Sequence, residues 1–150
     1  MSQRPSFTVV TCTFDSVATL EQTLRSVQAQ RGVEVEHLVV DGASTDGTQE
    51  VLRKISDPRI EVRLHERNQG FIRTISEGLE AARGRFVARI DSDDRYRPYF
   101  LNRTVPRLLA DETVGCVYGG AAMIGPEGEP RGEDWDRIHW NGDAKGNEFV

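Results

Sequence analysis

Two hydrophobic spacings alternate along the chain. Short runs rich in β-branched and aromatic residues, which favour strands, are followed by segments in which apolar residues recur every three or four positions, as on one face of a helix. The first pattern predicts strands at 7–14, 35–42, 60–66, 85–90 and 114–124.

The helical spacing is clear in the segment after the first strand. Leu20, Leu24 and Val27 fall on one face of a helix. Thr19 and Gln22 at its start fit a capping box. Further helices are predicted at 44–55, 68–82 and 98–110. Because strands alternate with helices, we predict an α/β protein with a mostly parallel sheet flanked by helices.

Composition narrows the class of protein. With 150 residues, of which 37% are hydrophobic and 29% charged, the chain is typical of a soluble domain with its own core. A net charge of -5 argues against a nucleic-acid partner. No apolar run approaches the roughly 20 residues of a membrane span. We therefore expect a cytoplasmic protein without a membrane span, whose substrate can still lie at the inner face of a membrane.

Acidic side chains cluster where the fourth predicted strand ends. Asp91, Asp93 and Asp94 follow directly after an apolar run. Hard divalent cations prefer oxygen ligands, and Mg²⁺ commonly combines one or two carboxylates with phosphate oxygens and water. The spacing alone leaves two interpretations open, a metal site or an acidic turn exposed to water.

Two further polar clusters follow predicted strands. Asp41 emerges from the second strand, and Asn68 and Gly70 precede the third helix. Ligands of parallel sheets bind at the carboxyl ends of the strands, so these clusters should lie together. Asp41 can accept hydrogen bonds from a base or a ribose, whereas the alternative is a turn in which Asp46 caps the next helix. Neither a dinucleotide fingerprint nor a P-loop is present.

Four motifs in order carry a resemblance to a known family. They are TCTFDS, VVDGASTDGT, NQG and IDSDD, the last followed by Pro98. Together they resemble the nucleotide-binding half of a family 2 glycosyltransferase, over residues 7 to about 125. The resemblance implies a Rossmann-like GT-A nucleotide-sugar-binding core at 1–125. Residues 126–150 are then an irregular acidic tail or the start of an acceptor region, and we expect the chain to be truncated.

The resemblance also implies roles for individual residues. Asp41 would bind the nucleobase, Asp91 the ribose, and Asp93 an Mg²⁺ or Mn²⁺ ion, with Asp91 and Asp94 in support. The full set of nucleotide-binding residues that it implies is Thr11, Thr13, Phe14, Asp41, Asn68, Gly70, Arg73, Asp91 and Ser92. Arg73 stands close to an Arg-Asn pair that the family often has, and Gly42 replaces a common Asp.

The implied reaction is an inverting transfer of a sugar from a nucleoside-diphosphate donor, with UDP favoured, to a saccharide or lipid-linked acceptor in polysaccharide biosynthesis. Asp134, in the segment GEDWDR, is the candidate general base, and an acidic loop without catalytic function is the alternative. Two other functions stay open. The chain could be a non-catalytic nucleotide-sugar-binding module or fragment, or a phosphoryl or nucleotidyl transferase that uses the same D-x-D.

Overall fold

The computed structural model describes residues 7–125 and 127–131. The chain divides into two compact units, with the division between Tyr99 and Phe100. The elements in chain order are β1 Phe7–Thr13, α1 Leu20–Gln28, β2 Val35–Asp41, α2 Thr48–Arg53, β3 Ile60–Leu64, α3 Phe71–Ala81, β4 Phe86–Arg89 and α4 Phe100–Ala110.

The first unit contains a four-stranded sheet within the described residues. Its strand order is β3-β2-β1-β4, and every neighbouring pair is parallel. The α/β fold and the parallel sheet predicted from the sequence are thus confirmed. After β3 the chain returns to the other side of β1, so the order reverses between β1 and β4. A reversal of this kind leaves a crevice at the carboxyl ends of the strands, where ligands bind in open α/β sheets.

Helices pack on both faces of this sheet because its strands are apolar on both sides. On one face Leu20 and Leu24 of α1 and Leu52 of α2 form a core around Val39. On the other face lies α3, whose Gly78 packs directly against Val10 of β1. The two central strands are consequently almost completely buried.

The capping box predicted for α1 is wrong. Thr19 has helical backbone angles and makes no side-chain cap, because a turn already precedes the helix. The N–H groups of Thr19 and Leu20 both donate to the carbonyl of Ser16, at 3.1 and 3.0 Å. The backbone therefore satisfies donors that a capping side chain would otherwise serve.

The second unit contains α4, in which Leu101 and Thr104 are buried. The strand predicted at 114–124 is wrong, since the described residues there form only one bridge, between Ile124 and Pro130. Three glycines in the run weaken a strand that has no partner strand in the described part of the chain. The domain boundary predicted at residue 125 stays a prediction.

No helix in the described ranges combines the length and the apolarity needed to cross a bilayer.

Candidate functional site

The predicted site residues lie mainly in loops at the carboxyl end of the sheet. These loops follow β1, β2, β3 and β4 and span 14–19, 42–47, 65–70 and 90–99. The loops after β1 and β4 flank the position where the strand order reverses. The fold therefore brings together, near one crevice, residues that are up to 85 positions apart in the sequence, from 14 to 99.

Asp41, the last residue of β2, organises the loop that follows it. It is fully buried. Its Oδ1 accepts hydrogen bonds from the N–H of Ala43 and Ser44, at 3.1 and 3.0 Å, and from Nε2 of Gln49, at 2.7 Å. Its Oδ2 accepts from the Ser44 hydroxyl. Direct contact between Asp41 and a nucleobase would require one of these donors to move, so its predicted role in base binding stays a prediction.

The loop after β1 docks on the loop after β2 through polar contacts. Asp15 Oδ1 accepts the N–H of Thr45 at 2.8 Å, and the N–H of Asp15 donates to the Ser44 hydroxyl at 2.9 Å. Asp46 Oδ2 accepts the N–H of Val17 at 2.9 Å. Its other oxygen, Oδ1, accepts the N–H of Thr48, the first residue of α2, at 3.0 Å. The N-cap of α2 is nevertheless Gly47, so the predicted cap at Asp46 is placed one residue too early.

The loop after β4 is fastened to α1 by hydroxyl groups. Thr23 is fully buried, and its Oγ1 lies 2.9 Å from the carbonyl oxygen of Ser92 and 2.8 Å from that of Asp94, so one proton is shared between them. The hydroxyls of Ser16 and Ser92 are hydrogen-bonded at 2.8 Å. This last contact links the loops after β1 and β4 directly across the crevice.

The three carboxylates after β4 have different surroundings. Asp91 forms an ion pair with Arg89, the last residue of β4. Asp93 is exposed and has no hydrogen-bond partner among the described residues. Partial burial raises the pKa of Asp94, and the negative charges of Asp93 and Asp91 raise it further. Asp91 thus has a cationic partner in contact, whereas at Asp94 the repulsion by its acidic neighbours outweighs the opposing influence of Arg89.

The loop after β3 is open to solvent. Asn68 Oδ1 accepts the N–H of Gly70 at 2.8 Å, and Gly70 adopts a φ of +83° with open space where a side chain would lie. Arg73, in the first turn of α3, is exposed and has no hydrogen-bond partner in the described part of the chain. It remains available for the predicted contact with a phosphate.

The predicted nucleotide-binding residues at the end of β1 and in the loop after it differ in exposure to solvent. Thr11 is fully buried, and its hydroxyl is hydrogen-bonded to Nε2 of His37 at 2.9 Å. Thr13 is buried, and within the described residues its hydroxyl has no partner. Phe14 is half exposed and lies beside Gly42. The structure therefore presents Phe14 at the surface and keeps Thr11 inside the sheet, and the roles of all three stay predictions.

The carboxylates fit a metal site that a donor would complete. Within the described ranges, no three side chains of the usual metal-ligating types come together. Asp93 nevertheless offers an exposed carboxylate without a protein partner among the described residues, and the next residue, Asp94, is also exposed. Mg²⁺ and Mn²⁺ accept few protein ligands where phosphate oxygens supply the rest. The residues present are therefore suitable for a cation that is bound together with a diphosphate.

Several residues that build the site were missed from the sequence. Thr23, Ser16 and Gln49 act through long-range hydrogen bonds, and Arg89 acts through its ion pair. Thr23 gave a usable signal, because it is a polar residue on the apolar face of α1. The candidate base Asp134 lies outside the described residues.

Comparison with known proteins identifies the family of the chain. The profile of glycosyl transferase family 2 matches residues 8–145. The succinoglycan biosynthesis protein ExoO of Rhizobium meliloti (strain 1021) is 40% identical over 106 residues, which are 71% of this chain and 30% of that protein.

Two solved structures are also similar. S. aureus TarS 1-349 in complex with UDP-GlcNAc has a TM-score of 0.66 and 27% identity, over 73% of this chain and 32% of that one. The mannosyltransferase PcManGT from Pyrobaculum calidifontis, in complex with GDP-Man and Mn²⁺, has a TM-score of 0.67 and 27% identity, over 84% of this chain and 37% of that one. The chain thus spans about a third of the length of each of these proteins.

The resemblance predicted from the four motifs is confirmed by these matches. The parallel sheet of the first unit corresponds to the N-terminal part of the GT-A fold of the solved structures. The chain belongs to glycosyltransferase family 2.

Proposed function

We propose that the chain is the donor-binding part of a metal-dependent, inverting glycosyltransferase that moves a sugar from a UDP-sugar to an acceptor hydroxyl. The observation that carries the proposal is the hydrogen bond between Ser16 and Ser92, which joins the loops after β1 and β4 at the crevice. The chain belongs to family 2, so a donor is expected at this surface. The nucleotide sugars bound by the similar solved structures support a donor of this class.

The nucleoside is held, in this proposal, between the loops after β1 and β2. Phe14 offers an exposed ring on which a base can stack. Asp41 then accepts a hydrogen bond from the base, and the Ser44 hydroxyl is the donor that gives way. A hydroxyl can turn about a single bond, whereas the N–H groups of Ala43 and Ser44 are fixed in the backbone.

The diphosphate lies above the loop after β4. Asp91 binds the ribose hydroxyls, and Asp93, with Asp94, is the cation ligand. Mg²⁺ or Mn²⁺ bound there supplies positive charge that stabilises the diphosphate as a leaving group. Arg73 is the candidate for a further phosphate contact from α3. The Mn²⁺ present in the PcManGT complex supports a divalent cation.

The acceptor hydroxyl attacks the anomeric carbon opposite the leaving group and loses its proton to a carboxylate, which is the inverting course. Asp134 is the candidate for that base. The relative named for succinoglycan biosynthesis supports a saccharide product, and the saccharide or lipid-linked acceptor is part of the proposal.

Calorimetric titration tests the donor site. UDP, GDP and CDP are titrated with and without Mn²⁺, and we expect UDP to bind best and only with the metal. Asp93→Asn should abolish the metal-dependent binding, because it removes the unpartnered carboxylate. Glu80→Gln is the control, since it makes the same change of charge on the exposed surface of α3 near its end.

No binding of any nucleoside diphosphate at millimolar concentration would contradict the proposal. Transfer or hydrolysis of UDP-sugar would distinguish an enzyme from a binding module. If UDP binds without turnover, the chain acts as a nucleotide-sugar-binding module instead.

A further inference from the structure

Arg89 connects two segments of the donor site. It is the last residue of β4 and lies in register with Val10, so its side chain is on the sheet face that α3 covers. Asp91 follows two positions later, beyond the end of the strand. The Arg89 guanidinium pairs with Oδ1 of Asp91. The same guanidinium lies 5.1 Å from the centroid of the Phe71 ring, at the start of α3. Arg89 thus bridges the D-x-D segment and the helix that follows the glycine loop.

The bridge restricts the Arg89 side chain. A guanidinium that stacks on an aromatic face and forms a directional ion pair has few other orientations, so it can fix the carboxylate that it binds. Oδ1 of Asp91 is engaged in this pair, and Oδ2 is left as an acceptor. A ribose hydroxyl is a donor that suits such an oxygen.

The ion pair also changes which carboxylates attract a cation. The positive charge of Arg89 offsets the negative charge of Asp91, whereas Asp93 has no cationic partner in the described part of the chain. A divalent cation is repelled by the guanidinium and attracted by the carboxylates without a cationic partner. The arrangement therefore distinguishes Asp91, which is in direct contact with the guanidinium, from Asp93, which has no cationic partner among the described residues. Arg89 also acts on Asp94, but as the smallest of the charges that affect it.

Building on the proposed function, we propose that Arg89 is a positioning residue that reserves Asp91 for the nucleotide and leaves the cation to Asp93 and Asp94. Loss of Arg89 then has two opposite effects. Asp91 loses its fixed orientation, so the nucleotide binds more weakly. Asp91 also becomes available to the cation, so the cation alone binds more tightly.

Arg89→Met tests both effects at low ionic strength, where ion pairs are least screened. Binding of Mn²⁺ alone is followed by the paramagnetic resonance signal of the free ion, and binding of UDP at saturating Mn²⁺ by calorimetry. We expect the Kd for UDP to rise about three- to tenfold and the Kd for Mn²⁺ to fall by about threefold, as suits a partly exposed charge pair.

Arg85→Met is the matched control. Arg85 also lies over an aromatic ring, with its guanidinium 5.3 Å from the centroid of Phe86, but it precedes β4 at the opposite end of the strand. Neither dissociation constant should change in this variant. Arg89→Lys, which keeps the charge and loses the fork, should leave Mn²⁺ affinity near that of the parent chain and weaken UDP less than Arg89→Met.

The double variant Arg89→Met, Asp91→Asn should lose the gain in Mn²⁺ affinity, because that gain requires the Asp91 carboxylate. Weaker binding of both ligands in Arg89→Met, or no change in either, would overturn the inference. If the parent chain binds no UDP, the proposed function fails, while the Mn²⁺ measurement still decides the inference: tighter binding in Arg89→Met supports it and unchanged binding overturns it.

Discussion

At the scale of single residues, the Thr23 hydroxyl determines where the loop after β4 lies. It is buried on α1 and contacts the carbonyl oxygens of both Ser92 and Asp94, so it holds the backbone on either side of Asp93. Asp93 makes no side-chain hydrogen bond in the described part of the chain and depends on this backbone for its position. A neutral side chain thus places the proposed ligand of the cation.

We predict that Thr23→Val weakens metal-dependent UDP binding about tenfold and lowers the free energy of unfolding by about 1–3 kcal/mol. The variant keeps the shape of the side chain but leaves two carbonyl groups without their donor. Calorimetry and urea unfolding measure the two effects.

Thr104→Val is the control for this prediction. Thr104 is also buried, but its hydroxyl donates within α4, to the carbonyl of Leu101 at 2.7 Å. Its substitution should affect stability and leave UDP binding unchanged. Equal losses of UDP affinity in the two variants would refute a specific role for Thr23.

At the scale of elements, α3 approaches the sheet closely at one position. A Cβ atom placed on Gly78 would lie 2.4 Å from Cγ1 of Val10, which is fully buried in the centre of β1. Val10 is β-branched and has little freedom to turn away. Glycine at position 78 is therefore required by the distance between helix and strand, although glycine disfavours a helix.

We predict that Gly78→Ala lowers the free energy of unfolding, although alanine is the better helix former by about 1 kcal/mol. Overpacking costs about 1–3 kcal/mol and should exceed that gain. Urea unfolding of Gly78→Ala, Val10→Ala and the double variant measures the coupling. In the double variant the extra methyl group has room, so it should be more stable than the sum of the single changes implies; simple additivity would contradict the proposed clash.

The elements could be predicted from the sequence because their cause is local. Hydrophobic spacing identified all four strands of the sheet and the helices between them, and the parallel order follows from the alternation. The exceptions are the capping box at Thr19 and the strand at 114–124. In both, the outcome depends on backbone partners, and side-chain spacing contains no information about such partners.

The site could be predicted only in part for a related reason. Motif order placed the acidic and glycine clusters at strand ends, where the structure has them. The contacts that hold them, such as those of Thr23 with Ser92 and of Ser16 with Ser92, join residues 69 and 76 positions apart. Arg89 is an ordinary strand residue in the sequence, and its pairing with Asp91 becomes evident only from the positions of the two side chains.

At the scale of the whole molecule, the balance of charge and the buried imidazole determine responses to solution conditions. The net charge of -5 opposes the approach of an anionic diphosphate, which is consistent with a requirement for a cation. His37 lies inside the first unit, and burial lowers its pKa to about 3. An unfolded chain would bind a proton there near pH 6.5.

We predict that the first unit loses stability as the pH falls from 6.5 to 5. In this range the unfolded state takes up a proton at His37 and the folded state does not, so the free energy of unfolding falls by up to about 1.4 kcal/mol per pH unit. Urea unfolding at several pH values gives the slope of the free energy of unfolding against pH. His37→Asn should reduce this slope by the amount that corresponds to close to one proton. An unchanged slope in that variant would assign the effect to other groups.

The hydrogen bonds around Asp41 have a kinetic consequence. The loop after β2 is already ordered by donors from Ala43, Ser44 and Gln49, and the loop after β1 is docked on it through Asp15. A ligand that meets an assembled surface does not wait for loops to fold around it, so association should be fast and show a single phase. Differences in affinity among nucleotides would then be expressed in how long each one stays bound.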